Sequence, residues 1–144
     1  MQGQREILLV EDEDADADLA SRAFRRAETA NSLVRVRDGV EALDYLFARG
    51  KFASGDVHDL PMFILLDLNI PKVSGTSVLA RCQIPAPVII FSSSTNPTEI
   101  DRCLELGARE FVQKPSDLGE FEKAVSRIVR NWLPSRPAPA TSVS

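Results

Sequence analysis

The spacing of apolar positions changes period repeatedly along the chain. Ile7-Leu8-Leu9-Val10 is a continuous apolar run of strand length. From Asp14 to Glu28 the period becomes helical, with Leu19, Ala20, Ala23, Phe24 and Ala27 on one face and Arg22, Arg25 and Arg26 elsewhere. Leu33 to Val36 reads as a second strand. Asp38 opens a helix with Glu41 three residues on, a capping-box spacing, and Val40, Leu43, Leu46 and Phe47 form its apolar face. Gly50 to Pro61 is a loop, and Met62 to Leu66 a third, wholly apolar strand. Ser74-Gly75 opens a short helix carrying Val78, Leu79 and Cys82, and Pro87 to Phe91 is the fourth strand. Asn96-Pro97-Thr98-Glu99 combines a capping Asn, a first-turn Pro and a third-position Glu, and the helix it starts ends at Gly107. Glu110 to Val112 is a short fifth strand. A last helix, from about Asp117 to Trp132, aligns Leu118, Phe121, Val125, Ile128 and Trp132.

Strands alternating with helices imply parallel β-α-β units and a doubly wound α/β sheet. The continuous runs Ile7–Val10, Met62–Leu66 and Val88–Phe91 belong inside it, buried on both faces, while the weaker second and fifth strands suit the edges. That arrangement is the flavodoxin-like strand order 2-1-3-4-5. Residues 5–133 make one domain. Residues 134–144, rich in Pro, Ala and Ser, read as a disordered tail because they cannot bury enough surface to offset ordering entropy.

Composition narrows the function. The chain has 144 residues, 44% hydrophobic and 26% charged, with a formal net charge of −4. That charge argues against a nucleic-acid surface. No apolar run approaches a membrane span, and Arg5-Glu6 ahead of the first strand does not resemble a signal peptide, so a cytoplasmic protein is expected. Cys82 and Cys103 fall at apolar helical positions and read as buried free thiols. His58 has no partner at ligand spacing.

Ligands of such sheets bind beyond the carboxyl ends of the strands. Glu11-Asp12 follows strand one, Asp67 strand three, Ser92-Ser93-Ser94 strand four, and Gln113-Lys114-Pro115 strand five. Acids at adjacent strands repel unless a cation lies between them, and Mg²⁺ suits oxygen ligands combined with phosphate. Asp67, at the end of the central strand, is a natural carboxylate nucleophile for a phosphoryl group. Lys114 and Ser92 would flank that group as counter-charge and hydrogen-bond donor. The acids Asp14, Asp16 and Asp18 read as capping and solvating the first helix.

With ILLVED at Ile7 to Asp12, LLDLNIPKVSG at Leu65 to Gly75, Ser92 and Gln113-Lys114-Pro115, the chain resembles a response-regulator receiver domain. RDGVEALDYL at Arg37 to Leu46, the long loop before Asp59-Leu60-Pro61 and Asn131-Trp132-Leu133 are similar to the single-domain regulators of bacterial phytochrome-type histidine kinases. The resemblance implies that Asp67 accepts a phosphoryl group from a sensor histidine kinase. Mg²⁺ would be held by Asp12, Asp67 and the Asn69 carbonyl, with Glu11 supporting it through water. It further implies a cis bond before Pro115, movement of Ser92 toward the phosphoryl group, inward rotation of Phe111, and output through the fourth helix, fifth strand and fifth helix. Ser92 follows Asp67 by 25 positions, fewer than the family implies, which shortens the third helix and its exit.

Such a chain is a phosphoacceptor that assists its own phosphorylation and dephosphorylation rather than an enzyme with a separate substrate. Its downstream target is a protein of unspecified identity, and Trp132 and Leu133 are candidates for a homodimer contact. The alternative is a pseudo-receiver that binds proteins without phosphorylation; such modules typically lack one of the site residues, all of which are present here. A haloacid-dehalogenase-type phosphatase would need a second acid where Asn69 stands.

Overall fold

The structure is a computed structural model that describes residues 6–27, 32–53, 60–81 and 86–132. Cys82, His58, Leu133 and the 134–144 segment lie outside them. Five strands, β1 (Ile7–Val10), β2 (Leu33–Val36), β3 (Ile64–Leu66), β4 (Val88–Ser92) and β5 (Glu110–Gln113), form one parallel sheet in the order β2-β1-β3-β4-β5. The helices are α1 (Asp14–Arg26), α2 (Gly39–Leu46), α3 (Gly75–Arg81), α4 (Pro97–Glu105) and α5 (Leu118–Trp132), with a single 3₁₀ turn at Gly50–Phe52.

Alternation along the strands divides the core in two. Leu8, Val10, Ile64, Leu66, Val88 and Ile90 face α2, α3 and α4, while Ile7, Leu9, Leu65, Ile89 and Phe91 face α1 and α5. β1, β3 and β4 are buried at every position, as their unbroken apolar runs require; β2 and β5, at the edges, are only partly so. Helix ends follow local chemistry. Asp38 Oδ1 accepts from Glu41 N at 2.8 Å, and the Glu41 side chain accepts from Arg37 N at 2.8 Å. Asn96 Oδ1 accepts from Thr98 N at 2.9 Å, and Gly107 ends that helical segment with φ 109°.

Three apolar positions depart from the sequence reading. Val40 (40% exposed) and Phe47 (38%) flank the buried face of α2, which is Gly39, Ala42, Leu43 and Leu46; each lies one residue, about 100°, off that face. Leu118, the first residue of α5, is 67% exposed and lines the cleft at the carboxyl ends of the strands. Trp132 packs on the α1–α5 side and donates from Nε1 to Glu110 Oε1 at 3.0 Å. Among the described residues every peptide bond is trans, including that before Pro115, which corrects the expected cis form. The trans isomer of such a bond is intrinsically favoured by about 0.5–1 kcal/mol, and with it Lys114 already reaches the carboxylates described below.

Candidate functional site at the carboxyl ends of the strands

Two backbone bonds carry the ladder one residue beyond the central strands. Glu11 N donates to Val36 O at 3.0 Å and Asp67 N to Val10 O at 3.1 Å, so two acids are set side by side at the sheet's end. Lys114 N donates to Ser92 O at 2.8 Å, which places the lysine across from them. The chain after β3 then folds back tightly: Gly75 N donates to Leu68 O at 3.0 Å, and a Cβ on Gly75 would sit 2.4 Å from the Asp67 carbonyl oxygen. Glycine is required there by close backbone approach. Asn69 N donates to Asp67 Oδ1 at 3.2 Å, which orients the carboxylate.

The Lys114 ammonium is the electrostatic centre. Its Nζ donates to Glu11 Oε1 at 2.7 Å, Asp67 Oδ2 at 2.8 Å and Asp16 Oδ2 at 2.9 Å. Glu11 and Asp67 are 3% and 6% exposed. Burial pushes the Glu11 carboxyl up to about 7, against the pull of the Lys114 hydrogen bond and charge and with a further push from the Asp67 charge. For Lys114, burial alone acts downward, but hydrogen bonds to Asp67, Glu11 and Asp16 outweigh it and hold the ammonium above its usual range.

Of the residues singled out from sequence, Glu11, Asp12 and Asp67 converge, each offering a carboxylate oxygen within 4.8 Å of the others. Lys114 joins them. Asn69 is exposed at the edge of a cleft of about 410 Å³ that Asp12, Asp67 and Lys114 also line. Ser92 is fully buried in the last position of β4, its Oγ accepting from Ser94 N at 3.3 Å; from this segment it is Ser93 that lines the cleft. Phe111, paired in register with Ile90, is half-buried against the α2–α3–α4 core. Pro115 lines the cleft.

Asp16 was missed as a site residue, since its place in an acidic helix start suggested a solvated cap. A helix that begins directly beyond a strand turns its first residues back over the sheet's end, and that was the available signal. Asp14 does face solvent, pairing with Arg35 at 2.8 Å and Arg37 at 2.9 Å, while Arg35 Nε donates to the Glu11 carbonyl at 2.9 Å.

Three carboxylates around one ammonium, with Asp12 grouped beside two of them, leave an excess of negative charge among oxygen-only donors. That set fits a hard divalent cation, and the compact group Glu11, Asp12 and Asp67 is where one would be held.

Known proteins resemble this chain over most of its length. Residues 7–126 match the family model described as the response regulator receiver domain. The probable methanogenesis regulatory protein FilR2 of Methanothrix harundinacea is 34% identical over 132 residues, covering 88% of this chain and 83% of that protein. Response regulator Rcp1 of Synechocystis is 33% identical over 139 residues, covering 93% and 92%. The solved structure of the phosphorylated cyanobacterial phytochrome response regulator RcpA is similar with a TM-score of 0.84 at 34% identity, covering 96% of this chain and all (100%) of that one. The Mn²⁺-bound form of Rcp1 gives 0.84 at 33%, covering 94% and 99%.

Proposed function

The chain belongs to the response-regulator receiver family, and from that premise we propose that Asp67 accepts a phosphoryl group from a phytochrome-linked histidine kinase in the presence of Mg²⁺. A carboxylate oxygen of Asp67 attacks phosphorus as the P–N bond of the kinase phosphohistidine breaks, and the electron pair returns to the imidazole nitrogen. The observation that carries this reading is the Asp67 carboxylate itself: buried at the cleft, oriented by Asn69 N–H and bonded to Lys114.

Asp12, Asp67 and the Asn69 carbonyl, with Glu11 behind them, would hold Mg²⁺, which when bound supplies neutralisation of phosphoryl oxygen charge. Lys114 supplies a fixed positive charge beside the same group. The phosphoryl group adds roughly −1.5 to −2 charge and three acceptor oxygens, favouring an arrangement in which Ser92 and Lys114 both reach it. Ser92 and Phe111 lie on one face of the sheet on neighbouring strands, so the Ser92 hydroxyl moving out of its bond with Ser94 N opens room for Phe111 to turn inward. Moving such a pair of states from 1:99 to 99:1 takes about 5.5 kcal/mol. A few charge-assisted hydrogen bonds at roughly 1.5–3 kcal/mol each supply that amount. The altered α4–β5–α5 face then engages a downstream protein, and water returns Asp67 to its free form.

The test is phosphorylation by acetyl phosphate with Mg²⁺, followed by intact-mass spectrometry. The wild-type chain gains one phosphoryl mass and Asp67→Asn gains none. A variant labelled at the wild-type rate removes Asp67 from this role.

A further inference from the structure

We propose that Asp16 is a positioning residue for this phosphoryl site, acting through Lys114 as a brake on the phosphorylated state; the inference rests on the phosphoacceptor reading above. A lysine ammonium carries three N–H donors. All three are taken here, by carboxylates from three elements: Glu11 after β1, Asp67 after β3 and Asp16 in the first turn of α1. A phosphoryl oxygen arriving on Asp67 therefore meets a lysine that is already saturated.

The three partners differ in how readily they let go. Glu11 is buried, with its second oxygen held by Glu13 N at 3.1 Å, and Asp67 is held through Oδ1 by Asn69 N. The side-chain exposures are 3% for Glu11, 8% for Asp67 and 30% for Asp16. Asp16 alone of these has water to exchange for the ammonium. It is the partner Lys114 gives up, and after release its carboxylate still lines the cleft that receives the phosphoryl group. Both effects work in one direction. Asp16 stabilises the resting arrangement of Lys114, and its charge opposes an incoming anion.

Asp16 ties α1 to the end of β5 through Lys114, so phosphorylation at Asp67 is felt in the first turn of α1 as the loss of that tie.

The test reads beryllofluoride, a phosphoryl mimic that binds without covalent turnover, at saturating Mg²⁺ on the full chain. Asp16→Asn keeps the shape and removes the charge; we expect it to bind the mimic about three- to ten-fold more tightly than wild type, the range for one partly exposed charge-assisted bond. Asp16→Glu retains the wild-type value. The gap between wild type and Asp16→Asn narrows as salt rises, which a merely structural role would not produce. Mg²⁺ affinity measured alone by calorimetry falls rather than rises in Asp16→Asn, because the lost charge that favours an anion disfavours a dication, so tighter mimic binding at saturating Mg²⁺ is not a metal effect. Asp16→Asn binding no tighter than wild type, or Asp16→Glu matching Asp16→Asn, overturns the brake while acetyl phosphate still labels the wild-type chain. A wild-type chain that takes neither label nor mimic overturns the phosphoacceptor reading together with it.

Discussion

Replacing Glu11 by Gln should make the metal-free protein more stable near neutral pH, although it removes a partner of Lys114. The cause is burial. Glu11 is 3% exposed, and its carboxyl is pushed from 4.5 to about 7. An acid whose pKa is raised on folding holds its proton more tightly in the native state, so the stability it contributes is present below about 4.5 and is lost as pH rises through about 7. At about 1.4 kcal/mol per unit, the full displacement corresponds to about 3 kcal/mol. Water entering the cleft screens part of it, which leaves about 1–3 kcal/mol. Gln is neutral at every pH and still offers one oxygen to Lys114, so it stands in for the protonated acid. The variant should therefore melt higher by roughly 3 °C per kcal/mol near pH 8, and the difference should vanish toward pH 4.5. Circular dichroism melts in chelator, at several pH values, read this directly. Adding Mg²⁺ should reverse the ranking, because ligand binding stabilises the wild type and the variant has one carboxylate fewer. A Gln variant that is less stable near pH 8 without metal, or a difference independent of pH, would refute the claim that burial dominates at Glu11.

Other expectations follow from the same geometry. Because a proton on Glu11 competes with the cation, Mg²⁺ affinity should fall about tenfold between pH 8 and pH 6, as calorimetric titration would record; a flat profile would remove Glu11 from the metal group. Gly75→Ala places a methyl 2.4 Å from the Asp67 carbonyl oxygen and 2.6 Å from Leu68 Cα. It should cost about 2–4 kcal/mol in urea unfolding and slow acetyl phosphate labelling as well. Asn96→Ala removes the side-chain cap of α4 and should cost about 1 kcal/mol, leaving labelling at the wild-type rate. Labelling lost along with that cap would mean that α4 acts on the site more directly than described here.

The order of elements and most of the site were legible in the chain because both depend on local rules. A continuous apolar run such as Met62–Leu66, set between helical segments, reads as a strand buried on both faces, and its end then lies at one rim of a parallel sheet. Acids and a lysine following β1, β3 and β5 must then share that rim, whatever the detailed packing. The capping residues Asp38 and Asn96 are equally local, each bonding an amide two or three residues away. What tertiary structure decided is which neighbours each polar group finds. Asp14 and Asp16 are alike in sequence, yet one pairs with Arg35 on β2 and Arg37 just after it and the other completes the shell of Lys114, since residues two apart in a helix point about 200° apart around its axis. The same holds for Val40, Phe47 and Leu118, apolar by composition and exposed in the fold. Periodicity states which way a side chain leaves its own element. It carries no information about what another element, distant in sequence, has placed there to meet it.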